Sequence, residues 1–162
     1  MRIGTLLADL HRRENALARH LLAVSERHRS DHEIYHLGRD LAGWSRRHVR
    51  VLAQEAGHRG VDLDPEPEAN PPITERLWER SRELVGRAGD PALVLLRDLR
   101  KIYTEASGLS VDWEMVAQAA MATRDTRLLH LTQECHPETL RQVRWANANL
   151  KESSPQILTG PS

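Results

Sequence analysis

Apolar side chains return along this chain at alternating spacings of three and four residues, the repeat that lines one side of an α-helix. The first such run is Ile3, Leu7, Leu10, Glu14, Leu17, Leu21, Val24 and His28, with Leu6 and Leu22 widening the stripe. It predicts a helix from about Ile3 to about Arg29. Ser30-Asp31 then offers an N-cap, with Glu33 placed to suit the dipole of a second helix that reaches about Ala56. Gly57 and Gly60 stop it. The seam of this second helix reads Ile34, Leu37, Leu41, Trp44, His48, Val51 and Glu55. His48 stands in the middle of it, where a leucine is expected.

The pattern then breaks. VDLDPEPEANPP, residues 61–72, is acidic, proline-rich and without period, and it reads as a connection. A short helix is expected over 73–87, with Leu77, Trp78, Leu84 and Val85 as its apolar face. Together these make a long crossover at about 57–90. Asp90-Pro91 is a strong helix start. The third long seam is Leu99, Ile102, Ala106, Leu109, Trp113, Val116 and Ala120, with an end near Thr123 to Asp125. The fourth helix is expected from Asp125 or Thr126 to about Glu152, with Leu128, Leu129, Leu131, Leu140, Val143 and Leu150 on its apolar side. Pro137 predicts a kink or break near Cys135-His136, because proline lacks a backbone donor and crowds the preceding turn. The fold class is therefore all-α, a four-helix bundle: one domain over 1–152, then a polar C-terminal tail over 153–162.

Composition narrows the function classes. The 162 residues carry 23 basic and 23 acidic side chains. This balance argues against a nucleic-acid or anionic-membrane binder, which normally shows a basic excess. No apolar run is long enough to span a membrane, and Met1 to Leu10 lacks the apolar core of a secretion signal. The single cysteine, Cys135, leaves no intrachain disulfide to form, so a cytoplasmic setting is expected. No phosphate-binding loop, dinucleotide fingerprint or G-x-S-x-G is present.

Polar residues in the seams carry the candidate chemistry. Glu14 lies about as far before the first helical joint as His48 lies after it. In an antiparallel pair the two side chains stand at nearly the same height, facing one core. A bundle with a single long connection between its second and third helices, and a Glu and a His meeting at mid-core, resembles the ferritin-like superfamily over residues 3–152. That resemblance implies a carboxylate-bridged iron or manganese centre, with one Glu from each of two helices and a Glu-x-x-His pair from each of the others. Glu14 matches the lone Glu of the first helix and His48 the histidine of the second. Three residues before His48 stands Ser45, and the fourth helix has no Glu-x-x-His. If a metal binds, the expected ligands are Glu14, His48 and Glu105. Otherwise Glu14 and His48 form a buried polar cluster, with Arg141 or Arg144 expected to neutralise the carboxylate.

Other groups have simpler readings. His32, His36 and Asp40 lie off the seam as solvated side chains. His130 and Glu134, like His136 and Glu138, fall nearer the bundle end. Asp98, Glu105 and Asp112, spaced by seven, form a stripe expected to bridge to an arginine-bearing neighbour, or else to lead cations inward. Cys135 reads as an inert thiol. Trp113 belongs to the core, and Trp145 is expected under Arg141 or Arg144 or at a subunit contact. The chain is expected to be non-catalytic, structural or protein-binding, without cofactor and homodimeric. The alternative is a ferritin-like iron or manganese protein or oxidase.

Overall fold

A computed structural model describes residues 2–68 and 90–160. Four helices make up the described chain: α1 Arg2–Arg27, α2 His32–Gly57, α3 Pro91–Thr123 and α4 Thr126–Thr159. No strand occurs among the described residues. The architecture is an all-α four-helix bundle. The short helix expected over 73–87 lies outside the described residues.

The helix starts follow the capping chemistry. Asp31 accepts a hydrogen bond from the Ile34 N–H at 3.1 Å, and Asp90 accepts from the Ala92 N–H at 2.9 Å with Pro91 at the first helical position. Between α3 and α4 the joint is only Arg124-Asp125. Arg124 takes a left-handed conformation (φ 53°) that ends α3, and Asp125 caps α4 through the Leu128 N–H at 3.0 Å. α4 runs without interruption through Pro137 and Pro155 to Thr159. Of the kink or break expected near Cys135-His136, the break is absent, and the helix continues past the expected end at Glu152. Thr139 and Thr132 return their hydroxyls to the carbonyls of Cys135 and Leu128.

α1 packs closely against α2, and α3 against α4, so the bundle consists of two tight hairpins. The hairpins meet along α1–α3 and, more sparsely, along α2–α4. Cross-helix pairs give the directions. Arg13 meets Asp112 and Arg27 meets Asp98, so α1 and α3 are antiparallel. Glu55 meets Arg127 and His48 meets Glu138, so α2 and α4 are antiparallel too. The order is up-down-down-up, which requires a crossover along the bundle. Its first part lies on α1: His11 bonds the Asp64 carbonyl at 2.7 Å, Asn15 accepts from the Glu68 N–H at 3.0 Å, and Arg19 pairs with Glu68.

The seam of α3 is buried as the pattern requires, from Leu99 to Ala120. On α1 the stripe from Leu7 to Val24 is buried as well. α2 is rotated from its expected seam. Gly38, Ser45 and Leu52 are buried, whereas Leu37 is 39% exposed and Trp44 and Val51 are half-buried. The reason is the closeness of α1: a Cβ built on Gly38 would stand 3.2 Å from Ser25 Cβ, and Ser25 donates its hydroxyl to the Tyr35 carbonyl. Small side chains let the backbones approach, so α2 turns its small residues inward and its large ones to the flank. α4 behaves alike. Thr139 and Gln142 are buried, while Leu140 and Val143 are only half-buried.

Candidate functional site

Glu14, from the middle of α1, and His48, from the middle of α2, are both fully buried and meet at 2.9 Å between Oε1 and Nδ1. The height argument from the sequence is satisfied. α3 contributes Trp113, also fully buried, whose Nε1 donates to the same Glu14 oxygen at 3.2 Å and whose ring meets the imidazole edge-on at 5.9 Å. α4 contributes Glu138, whose Oε1 lies 3.0 Å from His48 Nε2 and which also accepts from Arg47. Every helix of the bundle therefore sends a side chain to one centre.

The hydrogen bookkeeping constrains the cluster. Each nitrogen of His48 faces a carboxylate oxygen, and an N···O contact of this length needs a hydrogen between the atoms. Two hydrogens must therefore be shared among Glu14, His48 and Glu138, whichever atom carries them. The trio then holds one net negative charge, which Arg47 balances. Arg47 is half-exposed and Glu138 only slightly so, which makes this pair the cluster's outlet to solvent on the α2–α4 side. Glu14 Oε2 is buried with no hydrogen-bond partner among the described residues.

Below the cluster on the same side, Gln142 donates to Ser45 Oγ and to the Leu41 carbonyl, both at 2.9 Å. Ser45, standing where the ferritin-like pattern has a Glu, thus anchors a glutamine. At the far end, buried Glu55 accepts from Arg127 at 3.0 Å and from Arg59, which also pairs with Asp125. The Leu128 backbone N–H, and after it Arg59, hold the Asp125 carboxyl below its ordinary value. A cleft here is lined by Val51, Gln54, His58, Arg127, His130 and Glu134.

Glu105 does not join Glu14 and His48. It bonds His20 Nδ1 at 2.7 Å on the α1–α3 rim. There it is one rung of a ladder: Arg13–Asp112 at 2.8 Å, His20–Glu105 at 2.7 Å and Arg27–Asp98 at 2.6 Å, with His28 adding a 2.8 Å bond to Asp98. Each step of seven along α1 is matched by seven back along α3, as an antiparallel pair with a heptad repeat demands. The acidic stripe of α3 is thus spent on bridges to α1, as expected. Burial pulls the Asp98 carboxyl upward, but the hydrogen bonds from His28 and Arg27 outweigh it and hold it below the ordinary carboxylate range. At Asp112 burial wins over Arg13, and the carboxyl is raised.

The arginines expected at Glu14 are elsewhere. Arg141 lies over the Trp44 ring at 6.0 Å, and not over Trp145, and Arg144 is exposed. Their place beside Glu14 is taken by the Trp113 N–H and His48, and the guanidinium of the cluster is Arg47. Glu138 and Arg47 were the residues missed by sequence reasoning. The Glu55–Arg127 contact shows that the turn before α4 lies beside the end of α2, and that alignment brings Glu138 to the height of His48. His32 and His36 are exposed, with ring centroids 4.3 Å apart and the rings tilted by 55°, and exposed His130 pairs with Glu134 at 3.1 Å. Burial, and after it the charge of Glu14, pushes the Cys135 thiol up to about 12.

The donor set does not fit a di-metal centre. His48 spends both nitrogens on carboxylates, and the carboxylate oxygens that face it, Glu14 Oε1 and Glu138 Oε1, also accept from Trp113 and Arg47. No group of three or more His, Cys, Asp or Glu side chains among the described residues is arranged to hold a metal ion. No described helix is long and apolar enough to cross a membrane. No family model, curated protein or solved structure matches the chain.

Proposed function

We propose that the protein is a non-catalytic, ferritin-like helical bundle with a structural or protein-interaction role, and that it works as a homodimer. The up-down-down-up order with one long crossover supports the ferritin-like assignment. The observation that carries the functional reading is His48, itself fully buried and closed by a carboxylate at each ring nitrogen. A group held so has no free lone pair for a metal or a substrate. Its work is to set the register and rotation of the four helices, since one displaced helix would leave a buried charge unpaired.

Elemental analysis of protein purified without a histidine tag tests this reading. The expected result is no near-stoichiometric iron, manganese or zinc, together with clear destabilisation in Glu14→Ala and His48→Leu. Near-stoichiometric metal that disappears in Glu14→Ala would overturn it and favour the ferritin-like metal protein.

A further inference from the structure

The outer face of α3 has the properties of an unpaired half of a helix dimer. Among its exposed positions are Arg97, Arg100, Lys101, Thr104, Val111, Glu114, Met115 and Gln118. Val111 is 56% exposed and Met115 47%, and Met121 follows at 49%. Ordinary solvent-facing helix surface is charged at such positions. Here the charges are segregated: three cations lie in the N-terminal half, and Glu114 with the apolar side chains in the other. Halfway between the two sets stand Ser107 and Gly108, small and half-buried, where two backbones could cross closely.

We infer that a second copy of this chain docks on this face, α3 against α3 antiparallel, about a two-fold axis between Ser107 and Gly108. The symmetry supplies the argument. A two-fold axis there brings Arg100 beside Glu114 of the second copy, on the same flank, and lays the aliphatic stem of Lys101 over Met115. Arg97 meets Gln118, and Thr104 meets Val111 at the centre. Further out, exposed Ala122 covers half-buried Leu93, and Met121 lies on the same flank as half-buried Leu96 of the second copy. Each exposed cation thus finds an acceptor or an apolar surface suited to its stem, and each exposed apolar side chain is covered. The helix is about 50 Å long, enough for an interface of the standard size of roughly 1,600 Å² in total. A parallel arrangement would set the three cations against one another.

This inference rests on reading the bundle as an assembling protein, but it is tested on a different part of the molecule. Elemental analysis interrogates the core, and the experiment below interrogates the outer face, so either can fail alone. Single-cysteine variants Thr104→Cys and Val111→Cys are prepared separately; the native Cys135 is buried and does not interfere. In the proposed pair each residue lies about 10 Å along the axis from its own copy, beyond disulfide reach, while position 104 faces position 111. Under mild oxidation an equal mixture of the two variants should give a covalent dimer, and neither variant alone should. Sedimentation of the unmodified protein should show a dimer. Arg100→Glu should weaken it about tenfold at low salt, and adding Glu114→Arg in the same chain should restore it. A monomer at all concentrations would overturn the inference. So would a dimer in which the mixed variants fail to cross-link, since it would use another face.

Discussion

The two hairpins of this bundle meet along two seams, and the seams are built differently. Along α1–α3 the helices approach over leucines, Ile102 and Trp113; apart from the buried Glu14 that accepts from Trp113, the charges lie at the rim, in the ladder from Arg13–Asp112 to Arg27–Asp98. Along α2–α4 the helices stand further apart, and side chains reach across: Arg127 to Glu55, Glu138 to His48 and Arg47, Gln142 to Ser45 and Leu41. One seam is held by packing with electrostatics as trim, the other by polar bridges over sparse packing. The lesson is that specificity and cohesion are separated in this core. Apolar contact tolerates sliding more readily than a buried hydrogen bond does, so the second seam supplies the register of the first.

The largest effect is expected at the residue that joins both seams. His48→Leu leaves Glu14 buried without its imidazole and should cost about 3–5 kcal/mol in urea unfolding. Combining it with Glu14→Leu should return more than half of that loss, because an apolar pair replaces an ionic one. Next come parallel truncations of the two seams. Leu109→Ala, in the packed seam, should cost about 2–5 kcal/mol through its cavity. Gln142→Ala, in the bridged seam, should cost about 0.5–1.5 kcal/mol, the net worth of its hydrogen bonds. Equal losses by calorimetry would erase the distinction drawn here.

Smaller effects test the rim and the thiol. Asp98 has a folded-state value held below its unfolded one, so its contribution is present above about pH 4 and lost as pH falls further. Asp98→Asn should lower stability by about 1 kcal/mol at neutral pH, and the difference should vanish in acid unfolding curves. Cys135 shifts the opposite way. Its folded value near 12 exceeds the unfolded one, so its effect is present at neutral pH and lost as pH rises above about 9. Native protein at pH 8 should react with a thiol reagent only at the rate of global opening; rapid labelling would show the α2–α4 side to be wet.

Much of this was legible in the sequence, and particular residues show where it stopped. Helix number and starts follow from Asp31, Asp90 and Asp125, whose capping is local chemistry. The meeting of Glu14 with His48 follows from counting along an antiparallel pair. The ladder follows from a spacing of seven. Rotation was not legible. In α2 the sets containing Leu37, Trp44 and Val51 or Gly38, Ser45 and Leu52 both fit the helical repeat around Ile34, Leu41, His48 and Glu55. Hydrophobicity chose the first, and the close α1–α2 approach chose the second. The same turn of α4 brought in Thr139 and Gln142 in place of Leu140 and Val143, and with it Glu138.

What the sequence determined by itself is whatever depends on neighbours within a few residues: caps, helix spans, the period of each stripe, and heights along an antiparallel hairpin. What only the tertiary structure decided is the azimuth of each helix and the spacing between axes. Those depend on how side chains of different helices fill a shared volume, a property no single stripe contains. They assigned Glu138 to His48 and Arg47, Glu105 to His20, and Ser45 to Gln142, so that the residues expected at a metal centre bond to other side chains of the bundle.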